Sequence, residues 1–363
     1  MRVLMLYRPR LPGQRAQALQ TVHMADALAR AGHTVTVLAD RGDAPVTPAA
    51  ALARFGLAAH PRLDLRVAPI RQRGLAGLWF RRELARWWAL EPGLVYARDL
   101  RRLVEAVRRH GPRHRVVLEV HGQGASAGQD GVSDAVLELE CAAAECADVV
   151  VANCEGTAEA WRGAHGVAAR VSHNGTAAQR VRAAAESDGV VRVVGSLRSY
   201  KGWSTLLSAA AGPGLGGPLE LVGGHSSELS ARLPAAVRVR PPVAHHAVPD
   251  LLARSAVLLL PLADNRFGRT LTSPLKLWDY LATATPLVLP ELPAIRRALA
   301  CVGTTADAHF YRPGAVHSLR AAVQAALCAP RRAPVLRSWD DRVAELRGIF
   351  NGSCPSAPSP SAP

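Results

Sequence analysis

The run 190-VVRVVGSLRSYKGWSTLL-207 reads as a β-strand that turns into a helix through one short polar loop. Its valines make a continuous apolar, β-branched strand over 190–196, the stretch 197-LRSY-200 forms the loop, and Lys201-Gly202 opens a helix carrying Thr205, Leu206 and Leu207. A strand apolar on both faces must be covered on both faces, and parallel strands obtain that cover from the helices connecting them. The same rhythm extends outward. Upstream strands are expected at 2–8, 34–40, 63–69, 94–98, 115–121, 148–153 and 169–174, and downstream strands at 219–224, 237–243, 256–262 and 286–292. Between the first two lies a helix from about Gln14 to Ala31, with Leu19, Val22, Ala25 and Ala29 on one stripe and Gly32 as its stop. Two such series in 363 residues predict an α/β protein of two facing, Rossmann-like, doubly wound domains with a cleft between them.

The boundary is expected near residues 172 to 188, dividing a first domain (1–175) from a second (176–335). The stretch 338-SWDDRVAELRGIF-350 reads as a terminal helix within 336–350, and the Pro/Ser/Ala-rich tail 351–363 is expected to be disordered. Apolar content of 49% with 20% charged residues is globular. The formal charge of +15 suits a phosphate-bearing or polyanionic partner or an anionic membrane surface, although the arginines are scattered in ones and twos, as compositional bias would leave them. Cys141, Cys146, Cys154, Cys301, Cys328 and Cys354 form no CxxC pair and read as reduced thiols. The N-terminus enters a strand with no signal-peptide organisation, and no apolar run approaches the ~18 residues of a membrane-spanning helix. A soluble cytoplasmic protein is expected, with peripheral attachment to the inner face of the membrane as the other option. Oligomeric state has no sequence signal.

Of 44 Lys and Arg residues only two are lysines, Lys201 and Lys276. Lys201 follows the strand over 190–196 at a helix start. Lys276 follows the strand over 256–262, where Ser273-Pro274 reads as N-cap and first helical position, so that Lys276 is the third residue of its helix. A cation there opposes the helix dipole at a cost of up to about 1 kcal/mol. An anion between cation and dipole removes that conflict. Both lysines thus lie past the carboxyl end of a parallel strand, where helix N-termini gather phosphate and open α/β sheets bind ligands. Lysine suits this place because its compact charge sits on a flexible stem. Asp279 lies on the same helix face at i+3, either as an ion-pair partner or as the acceptor of ribose hydroxyls while Lys276 holds a diphosphate.

At this level of detail 194-VGSLRSYKGWSTLL-207 resembles the donor-phosphate motif of family 4 glycosyltransferases of the GT-B fold, and 272-TSPLKLWDYLATATPLVLPELPAIR-296 resembles their donor-binding helix and the segment after it. Weaker echoes are 28-LARAGHTVTVLA-39, 94-LVYARD-99, His173-Asn174-Gly175, and 338-SWDDRVAEL-346 as the family's terminal helix that crosses back to the first domain. The resemblance implies a retaining, metal-independent transfer of a hexose-type sugar from a nucleotide-diphosphate sugar, UDP or GDP being the expected carrier, with no other cofactor. Fixed positive charge would stabilise the departing diphosphate, and the family's proposed front-face mechanism requires no separate nucleophile.

By the same resemblance Lys201 matches the phosphate-binding lysine and Asp279 the second acid of the paired-glutamate motif. The family's arginine falls on Ser196, so Arg198 or Lys276 would supply the second positive charge. Its first acid falls on Leu271 and its glycine after the helix on Ala284. Gly224, Thr272, Ser273 and Leu275 complete the expected donor site. In the first domain His121 resembles the histidine that contacts the donor sugar, making His121, Lys201 and Lys276 the expected catalytic set. Glu119, Arg98, Asp99 and Gly13 of the loop 9-PRLPGQRAQ-17 lie at strand ends or just beyond them and are expected on the acceptor side. The acceptor could be a glycan, a lipid-linked glycan or a secondary metabolite.

Other signals are weaker. The stretch 122-GQGASA-127 fits a loose dinucleotide fingerprint but is not on the first strand, and neither lysine follows GxxxxG. His245-His246 are adjacent and lack a carboxylate cluster, so no metal site is expected. The segment 75-LAGLWFRRELARWWAL-90 could dock on a membrane, but its apolar residues surround the whole helix, which predicts a buried or interdomain element. Rival functions are a sugar-nucleotide epimerase or phosphorylase of the same fold, and a non-catalytic polyanion binder. No specific nucleic-acid motif supports the last.

Overall fold

The computed structural model describes residues 1–13, 15–122, 124, 133–178, 186–197, 201–211, 215–229, 233–304 and 308–350. The tail 351–363, Arg198 and most of 122–127 lie outside the described residues. In the first sheet run β1 (Arg2–Leu6), β2 (Arg10–Leu11), β3 (Thr34–Arg41), β4 (Leu63–Val67), β5 (Leu94–Ala97), β6 (Arg115–Val120), β7 (Val149–Ala152) and β8 (Arg170–Val171). Their order is β2-β3-β1-β5-β6-β7-β8, with β4 also paired to β3. The second sheet holds β9 (Val191–Val194), β10 (Leu219–Val222), β11 (Val237–Arg240), β12 (Val257–Leu259), β13 (Leu287–Pro290) and β14 (Ala308–Tyr311), in the order β11-β10-β9-β12-β13-β14. The pairings are parallel, as continuous apolar strands require: Val191 registers with Leu219 on one side and with Val257 on the other.

Each sheet reverses its strand order once, between β1 and β5 in the first and between β9 and β12 in the second. At such a reversal the loops diverge to opposite faces of the sheet and leave a crevice at the carboxyl ends of the strands. The helix Ala16–Arg30 begins and ends close to its expected limits, and Gly32 follows it with φ +96°. The terminal segment forms two short helices, Trp339–Glu345 and Arg347–Phe350, broken at Leu346. Ser338 and Asp341 cap the first of them reciprocally. Trp339, Val343, Leu346, Ile349 and Phe350 pack with Leu19, Val22 and Ala25 in the core on one face of the first sheet.

The helix Arg73–Trp88 departs from expectation. It lies on the other face of the first sheet, burying Phe80, Leu84, Trp87 and Trp88, while Leu75 and Leu78 stay 46% and 61% exposed. It is a surface helix of the first domain, neither buried nor interdomain. Among the described helices none is long and apolar enough to cross a membrane.

Candidate functional site

The second sheet's reversal places the two lysines together. Gly195 follows β9 and Gly223 follows β10, both with φ in the left-handed half of the map, at +134° and +126°. A Cβ on Gly223 would lie 2.8 Å from the Gly195 backbone, which excludes a side chain there, and the positive φ of Gly195 disfavours one at that position too. A Cβ on Gly195 would in turn stand 3.1 Å from Lys201 Nζ and 3.7 Å from Lys276 Cγ. The lysine arriving from the loop after β9 and the one arriving after β12 therefore converge over one glycine.

Lys201 is 9% exposed and precedes the helix Trp203–Ala210, whose N-cap Gly202 has φ +64°. It makes no ion pair among the described residues, and its ammonium lies 5.8 Å from the Trp203 ring centroid. Burial, with the Lys276 charge adding to it, lowers its pKa to about 8. Lys276 is the second residue of the helix Leu275–Leu281, one place earlier than expected, because Pro274 is the N-cap. Its ammonium pairs with Asp279 Oδ2 at 2.8 Å, while Asp279 Oδ1 accepts a hydrogen bond from the Thr176 hydroxyl at 2.7 Å. Asp279 stays below the usual carboxylate range: burial pushes it up, but Lys276, His245 and Thr176 together outweigh that. Both readings of the Lys276–Asp279 spacing therefore bear on the site. The ion pair exists, and each carboxylate oxygen, with one donor already on it, keeps a lone pair for a further hydroxyl.

The remaining donor-side residues are placed unevenly. Ser196 is exposed beyond Gly195, Gly224 is buried after β10, and Thr272 is buried. The carbonyl and hydroxyl of Ser273 accept from Asn174 Nδ2 at 3.3 and 3.2 Å. Leu275 turns its side chain into the first-domain core, so only its backbone amide is left for a ligand. Leu271, where the family's first acid would stand, is buried in a π-helical turn, Phe267–Leu271. A side chain on Gly156 would collide with the Thr270 carbonyl in that turn, which fits closely against the first domain.

The first-domain residues form a second, different cluster. Arg98 follows β5 at the reversal, donates to Gln20 Oε1 at 2.9 Å and covers the Tyr7 ring. Gln20 donates to Asn174 Oδ1 at 2.9 Å, so that Arg98, Gln20, Asn174 and Ser273 make a hydrogen-bonded line from one domain to the other. His121 contacts Glu119, and burial followed by the Arg98 charge lowers its pKa to about 4. Gly13 sits in the turn after β2.

Two acceptor-side expectations need correction. Glu119 does not face the cleft: it is 3% exposed and takes Arg342 of the terminal segment at 3.0 Å. Burial alone would raise its pKa, but Arg342 and His121 hold it well below the carboxylate range. Asp99 is a helix cap, accepting from the Arg102 amide at 3.1 Å and pairing with that residue's guanidinium.

Sequence reasoning missed Thr176 and a pair of histidines, one buried and one half-buried. His23 of the first domain and His245 of the second have ring centroids 5.9 Å apart, and the Nε2 of each lacks a hydrogen-bond partner among the described residues. Burial is the main cause that lowers their pKa values to about 3 and about 4, so both rings are neutral near pH 7. A cavity of about 480 Å³ beside them is lined by Phe55, His245, His246, Pro249, Asp279 and Thr283, from both domains. The doublet at 245–246 was the only available signal, and its value lay in a partner on a distant helix.

Residues 17–180 match the family model Glycosyltransferase Family 4, so the resemblance read from the sequence holds over them. No curated protein sequence matches the chain. The fold is similar to that of a sucrose-phosphate synthase from Thermosynechococcus elongatus, at a TM-score of 0.66 and 17% identity over 97% of this chain and 96% of that one. HepE from Anabaena, in complex with UDP and glucose, is similar at 0.62 and 15% over 96% of this chain and 100% of that one. The lipopolysaccharide outer core galactosyltransferase WaaB is similar at 0.58 and 13% over 97% and 96%. At these identities the likeness establishes the architecture, two facing Rossmann-like domains of GT-B type.

Proposed function

We propose that this GT-B chain is a retaining, metal-independent glycosyltransferase that takes a hexose-type sugar from a UDP- or GDP-sugar. The observation carrying the reading is the convergence of Lys201 and Lys276 over Gly195. Lys201 is buried, unpaired and repelled by Lys276, whose own charge is shared with Asp279, and the arrangement becomes favourable once an anion of two or more charges reaches both ammonium groups. A diphosphate has that charge and can take both donors. As the glycosidic bond breaks, the bridging oxygen gains negative charge, and two fixed cations stabilise it without reorganisation. The side-chain-free backbone at Gly195 and Gly223 gives the phosphates room to approach the strand ends. Asp279 then accepts from the ribose hydroxyls, and neutral His121, beside Glu119, offers a hydrogen bond from the first domain to the sugar. The Family 4 match over residues 17–180 and the structural likeness to HepE, whose own ligands are UDP and glucose, support the same reading.

Calorimetric titration with UDP and GDP tests it. Lys201→Ala, with folding intact, and Lys276→Ala, which also takes the ion-pair partner from Asp279, should each weaken binding by about 1–3 kcal/mol, the loss of a charge-assisted hydrogen bond. Wild-type affinity in both variants would refute the assignment.

A further inference from the structure

We infer that the outer face of the helix Arg73–Trp88 is a docking surface for an anionic lipid bilayer. Six large apolar side chains are substantially exposed among the described residues, and four of them, Ile70, Leu75, Leu78 and Leu90, come from this helix and its flanks. One stripe of the helix is spent on the core, so the exposed leucines are a second apolar stripe on the opposite side. Beside Leu78 a groove of about 500 Å³ runs between this helix and the helix Leu100–His110.

The rim of this groove is basic. Arg81 is about half exposed and reaches Glu105 only at 3.9 Å, while Arg82 and Arg109 are exposed and make no ion pair among the described residues. Glu83 is buried and already held by Arg66 and Arg86, leaving Glu105 as the exposed acid of the groove lining.

Exposed aliphatic side chains ringed by unpaired arginines are the pattern that an anionic interface rewards. The leucines enter the headgroup and acyl boundary while the guanidinium groups stay with the lipid phosphates. A nucleic acid would use the arginines and leave the leucines in water. Topology orients the surface. The helix returns from the carboxyl end of β4 to the amino end of β5, so Ile70, Leu75 and Leu78 stand at the sheet edge from which the cleft opens. A bilayer on this face would lie beside the cleft rim, where an acceptor embedded in it could be reached.

Flotation with phosphatidylcholine vesicles and with vesicles carrying one third phosphatidylglycerol tests the assignment on the full chain. The wild type should float with the anionic vesicles only. Leu75→Ser/Leu78→Ser should lower the partition coefficient at least about tenfold at an unchanged melting temperature, because both side chains are exposed in the free protein. Arg81→Gln/Arg82→Gln should lower it about fivefold per charge. Failure to float with anionic vesicles, or flotation indifferent to the leucines, overturns the inference. So does duplex DNA bound as tightly as the vesicles with the leucine pair replaced.

Discussion

The two sheets share one strand order and place polar groups at the same topological point, yet they treat charge in opposite ways. At the first reversal the acids are answered by charge and the arginine by a hydrogen bond: Glu119 by Arg342 and His121, Asp99 by Arg102, Arg98 by Gln20. At the second, Lys201 is buried against another lysine. A satisfied cluster fixes geometry. One that keeps a buried, unpaired cation beside a lysine already paired to Asp279 favours a ligand of the opposite sign. The first cluster therefore holds the terminal segment in place, and the second is the one proposed to bind.

Removing one partner from each region should expose this contrast most sharply. Arg342→Met leaves Glu119 buried beside a neutral side chain and should cost about 3–5 kcal/mol of stability in urea unfolding. Lys201→Met should leave stability unchanged or raise it, since it removes a like-charge contact and keeps the stem. Equal losses from the two variants would erase the distinction.

pH offers a second way to sharpen it. Lys201 holds its proton less tightly in the folded chain, at about 8, than at its ordinary 10.5. Between those values the unfolded state binds more protons, so this group makes stability rise with pH across the window. Nucleotide binding has the opposite sign. A diphosphate restores the proton to Lys201, so affinity should fall as pH rises above about 8, by up to about tenfold per unit. Titrations in that range would show a flat profile if Lys201 were remote from the phosphates. The smallest effect is expected at the joint between the regions: Thr176→Val removes one hydrogen bond from Asp279 and should cost about 1 kcal/mol of stability, read by thermal unfolding.

Strand positions were legible because fully covered parallel strands leave continuous apolar runs. Their ends were not. The apolar run through Leu262 predicted a longer β12, but Pro261 has no amide to donate and the strand stops at Leu259. β14 escaped notice because Ala308-His309-Phe310-Tyr311 lacks β-branched residues, and only Tyr311 is buried at that sheet edge. In the candidate site, scarcity made the lysines legible and strand order explains why they meet. Glu119 was misread because strand alternation says which residues share a face and nothing of what covers it. Its partner Arg342 arrives from the far end of the chain. Thr176 and the His23–His245 contact were hidden for the same reason, since each depends on a neighbour that only the folded chain supplies.

The central claim is that one diphosphate is gripped by both ammonium groups. A crystal structure with UDP or GDP bound tests it directly. The account predicts Lys201 Nζ and Lys276 Nζ each within about 3.2 Å of a phosphate oxygen over Gly195. A diphosphate seated elsewhere, or touching neither lysine, would contradict it.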